Sequence, residues 1–123
     1  MSTVDLTFDN FESTIAENSI VLVDFWASWC GPCRAFGPVF DRSSVAHRDI
    51  VHGKVNTEKE LDLATALQIS SIPTVMAFRD GILVYSQPGA MHPAALEDLV
   101  DRVKSLDMEA VRAKIAARKA ATA

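Results

Sequence analysis

The feature that most constrains this chain is an apolar segment at residues 20–26, IVLVDFW, which runs almost directly into two cysteines. The segment is apolar on both faces of an extended strand except at Asp24. Such runs are typical of a central strand that helices cover on both sides, as in a parallel or mixed sheet. Four residues then recur at helical spacing, namely Cys33, Phe36, Phe40 and His47. The sequence therefore predicts a buried strand followed at once by a helix.

The two cysteines, Cys30 and Cys33, lie where this strand turns into the helix. Between them, Gly31 leaves the backbone unhindered and Pro32 is tolerated in a first helical turn. The unpaired N–H groups and the dipole of a helix N-terminus favour an anion, so we expect Cys30 to ionise more readily than a free thiol and to face solvent. Cys33 lies on the same face, within reach of the Cys30 sulfur. The pair predicts a site that alternates between a dithiol and a disulfide.

Such closely spaced cysteines form a poor structural cross-link, because the loop they close is too small to restrict the unfolded chain much. A C-x-x-C motif within a βαβ pattern indicates redox or metal chemistry in a reducing compartment. Metal binding is the weaker interpretation, because the chain has only two cysteines and no histidine at ligand spacing. The three histidines, His47, His52 and His92, match no catalytic pattern and are expected on the surface or in loops.

Length and composition narrow the class of protein. A chain of 123 residues forms one domain of ordinary size, and 49% hydrophobic with 23% charged residues is typical of a soluble globular protein. The net charge of −4 gives no reason to expect nucleic-acid binding. No apolar run approaches the roughly 20 residues that span a bilayer, and the acidic first ten residues do not resemble a signal peptide. We therefore expect a cytoplasmic protein without nucleic-acid or membrane partners.

The first half of the chain contains two further predicted strands, at residues 4–6 and 50–55, each followed by a helix. Capping-box pairs should begin these helices, Asp9–Glu12 for the first and Thr57–Glu60 for the second. The predicted buried faces are Phe8, Phe11 and Ile15 in the first helix, and Leu61, Ala64 and Leu67 or nearby positions in the second.

The second half begins with two strands, at residues 74–78 and 82–85, around Asp80-Gly81, a strong hairpin signal. Pro93 opens a last helix, with Leu96, Leu99, Val100, Val103 and Leu106 on its buried face. The order β-α-β-α-β-α-β-β-α predicts an α/β fold with a mixed sheet. Residues 107–123 are alanine-rich and are expected to form a frayed or loosely docked extra helix, with partner or anionic-surface docking as the alternative. We therefore predict a domain at residues 1–106 and an extension at residues 107–123.

Residues 24–33, DFWASWCGPC, resemble the active-site stretch of bacterial-type thioredoxins. The similarity extends from about residue 4 to residue 106 and includes SIPT at 71–74, RDG at 79–81 and PGA at 88–90. The resemblance implies the thioredoxin fold, a central mixed sheet with helices on both faces.

The same resemblance implies a thiol–disulfide oxidoreductase, a cytoplasmic dithiol electron carrier that reduces disulfides of target proteins. Cys30 would attack the target disulfide, and Cys33, further inside the helix, would resolve the mixed disulfide. The protein would bind no cofactor and would receive electrons from NADPH through a flavin-dependent thioredoxin reductase. Its partners would be that reductase and disulfide-containing proteins, and we expect a monomer.

Two charged residues are implied to assist the cysteines. Burial of Asp24 in an apolar strand should raise its pKa, and by resemblance its carboxylate accepts the proton of Cys33. The alternative for Asp24 is simple pairing with a neighbouring cation. Lys54, in the strand expected beside Asp24, matches the lysine that neighbours this acid in the family.

The resemblance also implies a flat apolar docking surface around the dithiol. It comprises Trp29, Gly31, Pro32, Ile72, Pro73 and Gly89. Pro73 would follow a cis peptide bond, lie against the dithiol and present Ile72 to the substrate backbone. Ser71 and Pro88 depart from the residues usual beside this groove, so the target preference does not follow from the resemblance.

Two other functions compete with the reductase. Oxidants and isomerases of this fold typically carry a histidine between the cysteines, whereas Gly-Pro resembles the reducing members. A non-catalytic binding or chaperone module would retain the fold and use the extension at residues 107–123 for docking. A redox potential would test the first alternative, and replacement of both cysteines by serine would test the second.

Overall fold

The apolar segment at residues 20–26 forms the central strand of a five-stranded sheet in the computed structural model, which describes residues 2–122. The strand order is β1-β3-β2-β4-β5, with β1 and β2 parallel to β3, β4 antiparallel to β2, and β5 antiparallel to β4. The mixed sheet is therefore confirmed. The elements are β1 Thr3–Asp5, α1 Phe11–Glu17, β2 Ile20–Trp26, α2 Gly31–Ala46, β3 Val51–Asn56, α3 Leu61–Ala66, β4 Thr74–Arg79, β5 Ile82–Pro88, α4 Pro93–Lys104 and α5 Met108–Thr122.

Helices cover both faces of the sheet. Because successive side chains of β2 point to opposite faces, alternate residues of this strand pack against different helices. Ile20 and Leu22 pack against α2 and α4, in a cluster with Phe36, Phe40, Leu96, Leu99, Val100 and Val103. The side chains of β2 that point to the other face pack against α1 and α3, and this cluster contains Val21, Val23 and Phe25 of the strand with Phe11, Ile15 and Leu63 of the helices. By the same alternation, Asp24 lies on the face covered by α2 and α4, toward the end of the strand that leads to the cysteines.

The Asp80-Gly81 turn joins β4 and β5 as predicted. Both residues have left-handed backbone angles, φ 54° at Asp80 and φ 79° at Gly81. A two-residue hairpin of this kind needs positive φ at both central positions, which glycine and aspartate adopt more readily than other residues.

The predicted capping boxes are wrong, and so are two of the predicted buried side chains. Asn10 and Glu60, without side-chain caps, precede α1 and α3. Because α1 begins at Phe11, Phe8 lies before the helix and is 60% exposed. Leu61 is the first residue of α3 and is 65% exposed, whereas Leu63 and Ala64 are buried. An error of a few residues in the predicted start of a helix was therefore enough to misassign which apolar side chains are buried.

The expectation that His52 is a surface residue is also wrong. Its side chain is fully buried on β3, with Nε2 at 2.9 Å from the Ser43 hydroxyl and Nδ1 at 3.1 Å from the Ile50 carbonyl. The ring also packs against Phe40 at 5.1 Å between centroids. Burial lowers the pKa of His52, and the Ile50 carbonyl can accept only from an Nδ1–H, so Ser43 donates to Nε2 of a neutral ring. His52 therefore links β3 to α2.

Helix α5 lies at the end of the sheet that carries the β4–β5 turn, away from the cysteines. Its first residue, Met108, is buried, and Arg112 donates to the Asp80 carboxylate at 3.0 Å. The Arg79 guanidinium, next to Asp80, donates to the Val103 carbonyl at the end of α4 at 2.6 Å. Within residues 2–122, no helix is both long and apolar enough to cross a membrane.

Candidate active site

The cysteines lie at the point where β2 passes into α2, as predicted. Cys30 is the residue before the helix and Cys33 lies in its first turn, and the two form a disulfide with a Cα–Cα distance of 5.2 Å. The Cys33 N–H donates to the Cys30 sulfur at 3.2 Å. One of the otherwise unpaired N–H groups of the helix N-terminus is therefore directed at Cys30, which would stabilise a thiolate there once the disulfide is reduced.

Exposure does not distinguish the two cysteines in this oxidised structure. Each is 4% exposed, so the expectation that Cys30 faces solvent is wrong for the disulfide form. The physical reason is packing, since the pair contacts buried Ala27 and the partly buried Trp26 and Ile72. The Cys30 sulfur lies 3.8 Å from the Ile72 carbonyl oxygen.

Asp24 is fully buried, and neither of its carboxylate oxygens has a hydrogen-bond partner within residues 2–122. Burial raises its pKa from 3.8 to about 7, an effect that the positive charge of Lys54 partly opposes and the negative charge of Asp41 reinforces. A carboxyl with this pKa can both take up and release a proton near neutral pH. The expected direction of the pKa change is therefore found.

Lys54 lies directly beside Asp24 in the parallel pairing of β2 and β3. Its ammonium does not bond the carboxylate but lies 5.5 Å from the centre of the Trp26 ring. A cleft of about 160 Å³ opens between Lys54 and Cys33 and is lined by Trp26, Ala27, Ser28, Cys33, Arg34, Gly37 and Lys54. This cleft brings the lysine and the inner cysteine to one solvent-accessible space.

The residues of the predicted docking surface surround the disulfide. Trp29 is 68% exposed, and Gly31 and Pro32 are exposed beside it. On the other side of the disulfide, the Ile72–Pro73 peptide bond is cis. Gly89 donates its N–H to the Pro73 carbonyl at 2.7 Å with φ 109°, a backbone angle that favours glycine. Among residues 2–122, no three His, Cys, Asp or Glu side chains are placed to hold a metal ion.

Three polar residues beside the cysteines were not predicted from the sequence. Glu58 accepts both the N–H of Ser28 at 2.9 Å and its hydroxyl at 2.7 Å. Arg34 donates to the Ser28 carbonyl at 2.9 Å. The available signal was positional, because Glu58 follows β3 just as Ser28 follows β2, and the two strands are parallel neighbours.

The sequence is similar to known thioredoxins over most of its length. The family model described as Thioredoxin matches residues 2–102. A Streptomyces coelicolor protein named "Putative thioredoxin 2" is 50% identical over 119 residues, which are 97% of this chain and 89% of that protein. Thioredoxin 1 of Synechococcus elongatus is 42% identical over 99 residues, 79% of this chain and 92% of that protein.

Solved thioredoxin structures have the same fold. Oxidised mitochondrial thioredoxin 3 of Saccharomyces cerevisiae is 31% identical, with a TM-score of 0.74 over 85% of this chain and 96% of that chain. Plasmodium falciparum thioredoxin is 30% identical, with a TM-score of 0.75 over 81% of this chain and 97% of that chain. These matches, with a cysteine pair spaced and placed for dithiol chemistry, show that the chain belongs to the thioredoxin family and is a thiol–disulfide oxidoreductase of the protein-disulfide reductase type.

Proposed function

We propose that Cys30 is the attacking thiol and Cys33 the resolving thiol. The Cys30 thiolate attacks one sulfur of a target disulfide, and the other target sulfur leaves as a thiolate. The Cys33 thiolate then attacks the Cys30 sulfur and releases the second target thiol. The target gains two electrons, and Cys30–Cys33 becomes the disulfide. The observation that carries this assignment is the Cys33 N–H donated to the Cys30 sulfur at the start of α2, because it favours negative charge on Cys30.

Asp24 is proposed as the proton acceptor for Cys33 in the second step. Its burial and its pKa of about 7 support this role, as does its place on the sheet face that α2 covers. Lys54 is proposed to favour the ionised carboxyl through its charge, since it lowers the pKa of Asp24 without bonding to it. The cleft between Lys54 and Cys33 would admit the water that carries the proton onward.

The target is proposed to bind across the docking surface defined above. The exposure of Trp29, Gly31 and Pro32 supports one side of this surface. The Ile72 carbonyl, 3.8 Å from the Cys30 sulfur, supports the other, because an extended target segment there would meet backbone groups of Ile72 beside the reacting sulfur. A surface that binds mainly through backbone and apolar contact suits many different protein disulfides.

The electron route is part of the proposal. A flavin-dependent thioredoxin reductase would pass electrons from NADPH to the Cys30–Cys33 disulfide, and this chain would carry them to target proteins as a monomer without a bound cofactor. Net reduction requires a compartment that keeps thiols reduced, so we place this activity in the cytoplasm.

Coupled turnover tests this route. The chain, a purified flavin-dependent thioredoxin reductase and insulin should together oxidise NADPH at a rate proportional to the concentration of the chain. Dithiothreitol in place of the reductase and NADPH provides the control. If the chain reduces insulin with dithiothreitol but not with thioredoxin reductase and NADPH, the proposed electron route is rejected. If the chain reduces insulin with neither donor, its proposed function as a disulfide reductase is rejected.

Residues 107–123 are proposed to lie outside the thioredoxin domain. The match to the family model ends at residue 102, and α5 contacts the rest of the chain through buried Met108 and through Arg112, at the end of the sheet away from the cysteines. The match to the Streptomyces coelicolor protein leaves only about four residues of this chain unmatched, so most of the extension has a counterpart there.

A chain that ends at Leu106 should therefore reduce a small disulfide within about twofold of the full-length rate. Its free energy of unfolding should fall by about 2 kcal/mol, because the truncation removes one buried methionine. Denaturant unfolding and dithiothreitol-driven turnover measure the two effects. A several-fold loss of turnover would contradict this division of the chain, whereas unchanged turnover with lost binding to one protein partner would favour a docking role for α5.

A further inference from the structure

The loop between β2 and the cysteines is held by the side chains of Glu58 and Arg34, neither of which belongs to the docking surface. Ser28 and Trp29 are the central residues of a turn that the Cys30 N–H closes by donating to the Ala27 carbonyl at 3.3 Å. The hydrogen bond of such a turn joins its first carbonyl to its fourth N–H, so the turn itself provides no partner for the backbone groups of its two central residues. Here the Ser28 N–H is bonded to Glu58 and the Ser28 carbonyl to Arg34. Both backbone groups of Ser28 are therefore held by charged side chains.

The partner segment, residues 56–58, is itself fixed. The N–H and the hydroxyl of Thr57 both donate to the Trp26 carbonyl, at 2.9 and 3.0 Å. The Asn56 side chain accepts the Glu58 N–H at 3.0 Å. The parallel contact between β2 and β3 thus continues past the ends of both strands, first through Thr57 and then through the Glu58 carboxylate.

Glu58 is well suited to hold this turn. Its side-chain oxygen accepts two hydrogen bonds from Ser28, and these bonds lower the pKa of Glu58, so it is ionised at neutral pH. Hydrogen bonds to an ionised acceptor are stronger than neutral ones. From the opposite side, Arg34 in the first turn of α2 ties the same residue to the helix that carries Cys33.

We propose that Glu58, Ser28 and Arg34 form a positioning network that sets the placement of Trp29 and Cys30 for docking of protein disulfides. Trp29 follows Ser28 directly and is 68% exposed, so its placement depends on the turn more than on side-chain packing. A protein target must meet Trp29 and the reacting sulfur together, whereas a small disulfide needs only the sulfur. This inference rests on the proposed role of Cys30 as the attacking thiol.

The test uses the full-length chain, reduced beforehand, and measures second-order rate constants with insulin and with bis(2-hydroxyethyl) disulfide. Glu58→Ala should lower the insulin rate about fivefold, and should affect the small disulfide clearly less. Glu58→Gln should recover much of the loss, because its amide oxygen can still accept from Ser28. Asp62→Ala is the matched control, since it removes an exposed acid from the neighbouring helix α3 without touching Ser28.

Amide hydrogen exchange separates positioning from direct contact. The Ser28 amide should exchange about tenfold faster in Glu58→Ala than in Asp62→Ala, and Glu58→Gln should lie between them. Equal exchange in the Glu58→Ala and control variants would overturn the proposal. So would faster exchange with an unchanged insulin rate, or a slower insulin rate without faster exchange, which would make Glu58 a direct target contact. If the wild-type chain reduces neither disulfide, the proposed function fails instead.

Discussion

Replacing Cys33 by serine should convert this protein into a trap for its targets. Cys30 would still attack a target disulfide, but no second thiol would be present to release the mixed disulfide. We expect nearly stoichiometric covalent adducts with target proteins, all of them through Cys30. Replacing Cys30 by serine should instead lower disulfide reduction by about 10³-fold or more and yield no adducts, because the attacking thiolate is absent. Mass spectrometry of adducts from both variants measures the difference.

The adduct site is the decisive part of this experiment. Both cysteines are equally buried in the oxidised structure, so their roles rest on the position of Cys30 before the helix and of Cys33 inside it. Adducts on Cys33 in the Cys30→Ser protein, with none on Cys30 in the Cys33→Ser protein, would reverse the two roles. Serine is the appropriate replacement because it keeps the size and polarity of the side chain while removing the nucleophilic thiolate.

The parts of the fold that could be predicted from the sequence depend on local patterns. The run at residues 20–26 is apolar on both faces except at Asp24, and a run of this length and composition is typical of a central strand. The Asp80-Gly81 pair specified its hairpin because few residues adopt positive φ. The redox pair was recognised because a dithiol at a helix N-terminus has a direct chemical consequence.

The features that were missed depend on contacts between distant segments. Burial of His52 depends on the Ser43 hydroxyl, which helix α2 brings to the imidazole. The bond between Glu58 and Ser28 joins residues 30 positions apart and depends on the register of β2 against β3. Residue propensity carries no information on either contact, and the position of Glu58 two residues after β3 indicates its partner only once β2 and β3 are known to be parallel neighbours. The burial of Phe8 was mispredicted for a local reason, since Phe8 lies just before the first turn of α1 and is exposed.

Replacing Asp24 by asparagine should make the protein slower and, at alkaline pH, more stable. The rate of target release should fall by about 10²-fold, within the range for loss of a general base, because Cys33 loses its proton acceptor. The stability gain follows from removing a charge that is fully buried and has no hydrogen-bond partner among residues 2–122. Single-turnover release from a preformed mixed disulfide measures the rate, and denaturant unfolding of the oxidised protein measures the stability.

The two pKa values of Asp24, folded and unfolded, determine how the stability of the wild-type protein changes with pH. The pKa of Asp24 is about 7 in the folded protein and about 3.9 in an unfolded chain, so between these values the folded state binds more protons. Wild-type stability should therefore fall as the pH rises from about 4 to about 7, and stay low above that. The difference between the two pKa values corresponds to at most about 4 kcal/mol. Because the asparagine amide is also buried without partners, the net gain at pH 8 should be about 1–3 kcal/mol.

Asp101→Asn is a suitable control for this experiment, because Asp101 is an exposed acid on α4 and its replacement removes the same formal charge. The stability of Asp24→Asn relative to this control should increase from pH 4 to about pH 7 and then level off. A variant less stable than wild type at pH 8 would mean that Lys54 compensates the buried charge more fully than the geometry indicates. A difference that does not grow with pH would mean that Asp24 titrates near its ordinary pKa, and a proton acceptor for Cys33 would then have to be sought elsewhere.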